Sequence, residues 1–296
     1  LNYYKNMSRN SVHFDFLVHS KKNGIIGEEF IKFNSKIYFV TPLRQNLFMY
    51  LMDFYKALKS EKYDIIHVHQ NYISWFPLLI SMFFGIKTRI SHSHNFVMNE
   101  TKYKKLTHLI QRPLIKLFGT QYFACGRDAA YWLYGKEFSM NSSKVHVINN
   151  AVELTKFSYD KGSRDELRQE LNINDKFCIG NVGRFAHQKN HDFLIDIFHE
   201  VYKTNNNSVL LLVGKGELEN IIKDKVDKLN LNHCVIFLGL RVDVNRLYQA
   251  MDVFLLPSFH EGLGVVLIES QASGLKNYVS DTITLEANVS NNIKYI

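Results

Sequence analysis

The stretch FCIGNVGRFAHQKNHDFLIDIFHEVYKTNNNSVLLLVGKGE, residues 177–217, decides the fold. Two short apolar runs, FCIGNV and SVLLLV, flank HDFLIDIFHEVYK, whose apolar residues Phe193, Leu194, Ile197, Phe198 and Val201 recur at helical spacing. A strand, a crossover helix and a second strand make a parallel pair, because a hairpin needs only a tight turn. The rhythm continues to the end of the chain: CVIFLG, VFLLPS and NYVSD read as strands, separated by ELENIIKDKVDKL, DVNRLYQAM and GVVLIESQA. In the first half HFDFLVHS, KIYFV, DIIHVHQ, TRISHSHN, QYFACG and KVHVINN are strand-like in the same way. Such alternation predicts an α/β protein with parallel sheets and helices on both faces, arranged as two Rossmann-like lobes with a cleft between them.

The break between lobes is expected after VINNAVE, where the polar stretch LTKFSYDKGSRDELRQELNIND intervenes before Phe177. This gives an N-terminal lobe over 1–152 and a C-terminal lobe over 153–296. The opening LNYYKNMSR reads as the tail of a helix and the closing NNIKYI as a strand, so a first strand and a last helix are expected outside this sequence.

Charge is uneven. Residues 1–150 hold 20 Lys+Arg against 9 Asp+Glu, a balance of +11, while residues 151–296 hold 16 against 19, a balance of −3. A basic first half suits an anionic partner such as a phosphorylated small molecule or acidic lipid headgroups. Nucleic acid is disfavoured, because no RNA-type aromatic motif interleaves the basic residues. The three cysteines are far apart and form no CxxC pair, which excludes a disulfide framework and a zinc knuckle and fits a reducing cytoplasm. The longest apolar run, YISWFPLLISMFFGI at 72–86, contains Pro77 and falls short of the ~20 residues needed to cross a bilayer. No signal peptide is visible, although the chain begins at Leu1.

Glycines at strand ends mark where phosphate can approach a backbone. GNVGRFAHQKN places Gly183, Arg184 and Lys189 on one strand-to-helix loop, where two cations can grip a diphosphate without a metal. VGKGE offers Gly214 and Gly216 at the end of the next strand. HEGLGVVLIESQASG carries Glu261 just ahead of a helix expected to start near Leu263, with Glu269 about two turns inside it. An extended sugar nucleotide suits that spacing, with sugar hydroxyls on Glu261, phosphates over the amides after Gly262, at Leu263 and Gly264, and ribose hydroxyls on Glu269. The unbroken apolar run before Glu269 implies a mostly buried helix in which an acid needs a partner.

Glu261 and Glu269 form E-x7-E, and together with GRFAHQKN, AMDVFLLPS and INNAVELTKF this resembles the retaining family-four glycosyltransferases of GT-B fold, above all bacterial enzymes of capsule and exopolysaccharide assembly. The likeness runs from about residue 11 onward; Ala151 stands where the family usually has Gly, and the family's glycine-rich loop after its first strand is absent. It implies a nucleotide-sugar donor, most simply a UDP-sugar, no essential metal, retention of configuration, and a saccharide or lipid-linked acceptor at the cytoplasmic membrane face. It also implies that His94, in ISHSHN, contacts the transferred sugar. A zinc site made from His67, His69, His92 and His94 is conceivable on adjacent strands but has no acid or Cys nearby. A nucleotide-sugar epimerase and a non-catalytic sugar-nucleotide-binding subunit stay open as rivals.

Overall fold

In the computed structural model, which describes residues 2–8, 11–19, 30–96 and 102–296, the crossover read from 177–217 forms in parallel register. Strand β7 (Phe177–Val182) pairs with β8 (Ser208–Val213) from Phe177↔Ser208 to Val182↔Val213. Earlier in the chain come β1 (Phe16–Val18), β2 (Ile37–Phe39), β3 (Ile65–Val68), β4 (Thr88–Ser93), β5 (Gln121–Ala124) and β6 (Val145–Val147); later come β9 (Val235–Gly239), β10 (Val253–Leu256), β11 (Lys276–Val279) and β12 (Ile293–Tyr295). Compactness divides the chain into one unit of Leu1–His92 with Leu109–Phe123 and another of Ser93–His108 with Ala124–Ile296.

The second unit is built on a sheet of order β12-β11-β10-β7-β8-β9. Numbered from its own first strand, this is the doubly wound order in which direction reverses between the first strand and the fourth, here β7 and β10. Burial explains why β8 reads as an unbroken apolar run: every residue in it is buried. Val209, Leu211 and Val213 join the cluster around Leu167, Leu247, Phe254 and Leu267, while Leu210 and Leu212 join Leu194, Phe198, Ile222 and Val226. Alternate residues thus feed two cores, one on each face, which is the signature of helices above and below a parallel sheet.

The helices, in chain order, are α1 (Asn2–Lys5), α2 (Leu47–Ser60), α3 (Trp75–Phe83), α4 (Lys102–Phe118), α5 (Arg127–Tyr134), α6 (Lys136–Asn141), α7 (Leu154–Phe157), α8 (Lys161–Glu170), α9 (His191–Thr204), α10 (Glu219–Lys228), α11 (Val244–Ala250) and α12 (Val265–Ala272). The polar stretch expected to separate the lobes contains α7 and α8. Asp160 caps α8 by accepting from the Ser163 amide at 3.1 Å, Leu167 is fully buried, and Arg168 is buried with it. A helix that fixes itself through one leucine and two arginines carries almost no apolar periodicity, so it reads as a linker.

The first unit contains β1 paired in parallel with β2, and β3 paired in parallel with β4 over Ile65↔Thr88 to Val68↔Ser91. Asn46 caps α2 by accepting from the Met49 amide at 3.0 Å, and Tyr50 and Phe54 bury beside Val40. The apolar run at 72–86 becomes a 3-10 turn, Asn71–Ser74, followed by the nine-residue α3. Among the described residues no helix is long and apolar enough to cross a membrane. All three cysteines are buried free thiols.

Candidate functional site

In an open α/β sheet ligands collect at the carboxyl ends of the strands where strand order reverses, here β7 and β10. The loops after both strands lie in the second unit: of the residues expected to bind donor, Gly183 to Lys189 follow β7 and Glu261 to Glu269 follow β10, while Gly214 and Gly216 follow β8.

Close backbone packing explains the glycines first. A Cβ on Gly214, whose φ is +140°, would sit 2.0 Å from the Gly183 carbonyl oxygen, and one on Gly216 would sit 2.3 Å from that of Phe185. The loops after β7 and β8 are therefore pressed together, main chain on main chain, and VGKGE serves this contact. A Cβ on Gly183 would meet the Lys189 methylenes at 3.3 Å, so the lysine side chain lies along the start of its own loop. Gly262 is equally constrained: a Cβ there would be 2.1 Å from the His94 carbonyl oxygen and 3.3 Å from Cys125 Sγ, both residues of the same unit. Gly264 adopts the left-handed region at φ +71° and caps α12, so the helix begins at Val265, two residues later than the sequence suggests. Leu263, between these glycines, is buried.

The two cations do not share a partner. Lys189 Nζ donates to Glu261 Oε1 at 2.7 Å, with side chains only 15% and 8% exposed. The pair is flanked by Gln188 Nε2 donating to the His260 carbonyl at 2.8 Å and the Phe259 amide donating to the Gln188 carbonyl at 2.9 Å. Arg184 instead donates to Glu217 Oε2 at 2.8 Å, on a surface where 71% of the arginine side chain is exposed. An exposed pair of this kind is screened by solvent and contributes little, so the guanidinium can be recruited by a ligand at little cost. Removing one member of the buried pair strands a charge and costs about 3–5 kcal/mol.

Glu269, on the fifth residue of α12, finds the partner its burial demands. Tyr248, on α11, donates its phenol proton to Glu269 Oε2 at 3.0 Å. Burial raises the Glu269 pKa above the ordinary carboxylate value, while the Tyr248 hydrogen bond and the Lys156 charge pull it back. The tyrosine is itself buried, and burial together with the adjacent carboxylate holds its phenol protonated. His94, half-buried, has its pKa drawn below the ordinary histidine value by desolvation.

Sequence reasoning missed four residues here. Glu217 was quoted within VGKGE without a role, and Gln188 within the β7 loop. Tyr248 lies 21 residues from Glu269 and gives no local signal. His191 opens α9, is 2% exposed and stacks on Phe185 at 4.2 Å; burial first, and the Lys189 charge second, bring its pKa down to about 4. A neutral imidazole adds no second charge beside Lys189.

In the first unit His67, His69 and His92 bring ligand nitrogens within 4.8 Å of one another, the group of this kind found among the described residues, and His94 is not part of it. His67 Nε2 and His92 Nδ1 lie 2.9 Å apart in nearly coplanar rings. Those two nitrogens hydrogen-bond each other.

Residues 2–156 match the family model described as Glycosyltransferase Family 4, and residues 163–291 the one described as Glycosyl transferases group 1. The chain is 32% identical over 294 residues to EpsF of Bacillus subtilis (strain 168), a protein named as a glycosyltransferase, covering 96% of this chain and 75% of that one. It is 30% identical over 281 residues to the Escherichia coli UDP-Gal:alpha-D-GlcNAc-diphosphoundecaprenol alpha-1,3-galactosyltransferase, covering 90% and 72%. Over 126 residues it is 36% identical to the capsular polysaccharide biosynthesis glycosyltransferase CapM of Staphylococcus aureus, covering 42% and 33%. Among solved structures, Anabaena Alr3699/HepE in complex with UDP-glucose superposes with a TM-score of 0.76 at 18% identity, over 93% of this chain and 87% of that one.

Proposed function

The chain belongs to glycosyltransferase family 4 and has the GT-B fold, and on that premise we propose that it moves a sugar from a UDP-sugar to a lipid-linked saccharide, with retention of configuration, in capsule or exopolysaccharide assembly. The observation that carries this reading is the pairing of two acid–partner sets, Lys189 with Glu261 and Tyr248 with Glu269: Lys189, Glu261 and Glu269 lie on elements that follow β7 and β10 at the strand reversal, and Tyr248 reaches Glu269 from α11, just before β10. Support for UDP comes from the HepE complex, and for a diphosphate-linked lipid acceptor from the name of the E. coli relative.

In this reading the donor's diphosphate displaces Glu217 from Arg184 and takes spare donor capacity on Lys189. The first amides of α12, which have no acceptor within their own helix, complete the cradle. Negative charge builds on the departing UDP as the glycosidic bond breaks, so cations aimed at it stabilise the transition state more than the bound donor. No metal is required, because two cations and a helix terminus already neutralise the leaving group. Glu269, held by Tyr248, accepts from the ribose hydroxyls. Glu261 orients Lys189 and, with His94, receives the sugar. The acceptor enters at the basic first half, on the cytoplasmic face of the membrane.

Calorimetry of the full-length protein against a panel of nucleotide sugars tests the donor assignment, with UDP-sugars expected to bind tightest. Proton NMR of the product of a matched donor and acceptor tests the stereochemistry: an inverted anomeric centre refutes retention. Donor consumed without acceptor, with a new epimer formed, refutes transfer altogether.

A further inference from the structure

We propose that His187 and Phe259 form a platform on which the C–H face of a pyranose ring stacks, so that the second unit takes the apolar side of a sugar as well as its hydroxyls. The proposal rests on the transferase reading above and deepens it. Residues 257–264, PSFHEGLG, follow β10 and are buried apart from Phe259 and the half-buried His260: Ser258 is 0%, Glu261 6% and Leu263 3% exposed. Phe259 is an apolar ring held 45% exposed in the midst of this segment. Its ring stacks on that of His187, with centroids 4.9 Å apart and planes 25° from parallel. His187, exposed as well, opens the 3-10 turn His187–Lys189 in the loop after β7. Three successive ties fix the two loops in this register. The Phe259 amide donates to the Gln188 carbonyl at 2.9 Å, Gln188 Nε2 donates to the His260 carbonyl at 2.8 Å, and Lys189 Nζ donates to Glu261 Oε1 at 2.7 Å. Singly exposed apolar residues are common on any protein. A ring held in place by a stacked partner and by its own main chain is different, because it loses little freedom when a ligand lies on it.

Chemistry selects the occupant. The face of an aromatic ring carries the negative part of its quadrupole. The C–H bonds of a pyranose, polarised by the oxygens beside them, meet that face while the hydroxyls project from the rim of the sugar. Glu261, two residues beyond Phe259, offers carboxylate oxygens as acceptors for such hydroxyls, and Lys189 beside it suits the phosphate to which a donor sugar is joined. A nucleobase belongs elsewhere. Along the donor path proposed above the ribose meets Glu269, and the base continues past the ribose, at the opposite end of the donor from Glu261. A lipid chain is equally ill-suited, because the ion pair Lys189–Glu261 adjoins the ring where a chain would need further apolar surface. A pyranose ring has two sources here, the hexose of the donor and the saccharide of the acceptor, and they are separable by experiment.

The test is calorimetry of the full-length protein with UDP, UDP-glucose, UDP-galactose and UDP-N-acetylglucosamine, alongside saturation-transfer NMR of methyl α-glucoside and methyl α-galactoside on the UDP-loaded protein. Wild type is compared with Phe259→Leu, which keeps the apolar bulk and removes the aromatic face, with Phe259→Tyr, which keeps the face, and with His187→Ala. UDP affinity should be unchanged in every variant. If the donor hexose occupies the platform, UDP-sugar affinity falls about three- to tenfold in Phe259→Leu and by less in His187→Ala, where the ring stays but its brace is gone. If the acceptor saccharide occupies it, UDP-sugar affinities hold and the saturation of the methyl glycosides falls instead. Phe259→Tyr should behave as wild type in either case. Phe259→Leu equal to wild type in both measurements overturns the proposal. So does a loss of UDP affinity as large as that of UDP-sugar affinity, which would make the stack a brace for the Lys189 loop alone. Wild-type protein that binds none of the UDP-sugars refutes the transferase reading and the platform with it, whereas wild-type binding with an unaffected Phe259→Leu removes only the platform, so the two failures are distinguishable.

Discussion

Strands β7 and β10 lie side by side, and ion pairs sit at both of their ends. At the amino end Asp252, just before β10, accepts from the Cys178 amide on β7 at 2.7 Å and from Arg164 and Arg168 on α8. Both arginines spend their remaining protons on main-chain carbonyls: Arg164 on those of Gln249 and Met251, each at 2.8 Å, and Arg168 on those of Ala250, Asn174 and Lys176. At the carboxyl end Lys189 has one described partner, Glu261, and Arg184 has the exposed Glu217. The same residue types are saturated at one end and under-coordinated at the other. A saturated network locks the packing of α8 onto the sheet, whereas an unsaturated one has capacity left for a ligand.

The sharpest way to break this contrast is to delete the carboxyl-end cations. Single-turnover rates of Lys189→Ala and Arg184→Ala should each fall ~10²- to 10³-fold, as for other groups aimed at developing charge, with the double variant far from additive because both act on one ligand. Losses below about fivefold in both would remove the phosphate cradle. Asp252→Ala addresses the other end: chemical denaturation should show a loss of about 3–5 kcal/mol, since the buried Arg168 and the half-buried Arg164 lose their counter-charge, while donor affinity of the folded fraction stays put. A variant that kept its stability but lost donor would reverse the assignment of the two ends.

Glu269 sharpens the comparison by combining both characters, a buried acid with a partner and the ribose contact proposed for it. Glu269→Ala should raise the KM for donor by roughly tenfold with little change in kcat, because a ribose contact acts equally in the ground and transition states. The pH dependence has a definite sign. The folded-state pKa of Glu269 is raised, so its contribution to stability is present below the ordinary carboxylate pKa and is lost as pH rises through the raised value. Glu269→Gln should therefore melt no lower than wild type at neutral pH while binding donor more weakly. Donor KM should rise on acidification, as Glu269 takes up its proton, and Tyr248→Phe should move that rise to higher pH. An unshifted profile in Tyr248→Phe would show that the phenol does not tune the carboxylate. The smallest effect is expected from chelation: EDTA should leave the transfer rate unchanged, and a rate abolished by EDTA and restored by Mg²⁺ would show that the cations need a metal.

By itself the sequence determined the parallel α/β architecture, because strands covered on both faces must be apolar throughout and crossover helices must be amphipathic, and both patterns are local. Lys189, Glu261 and Glu269 stood out as candidates for a related reason: glycines and charges at strand ends mark where the backbone opens to ligands. Partners were decided only by the tertiary structure. Tyr248 meets Glu269 across two helices, Glu217 meets Arg184 across two loops, and Lys189 turns to Glu261 across 72 positions. Glycine chemistry divided in the same way. Gly214 and Gly216 suit phosphate as well as main-chain contact in sequence, and a Cβ there would sit 2.0 or 2.3 Å from a carbonyl oxygen, so packing alone already requires glycine at both. The polar stretch at 154–175 hid α8, because its hold on the sheet runs through Arg164, Arg168 and one leucine, and hydrogen bonds between distant residues leave no period in a sequence. Periodicity records which side of an element is dry; which charges face each other depends on strand order, and only the folded chain sets that.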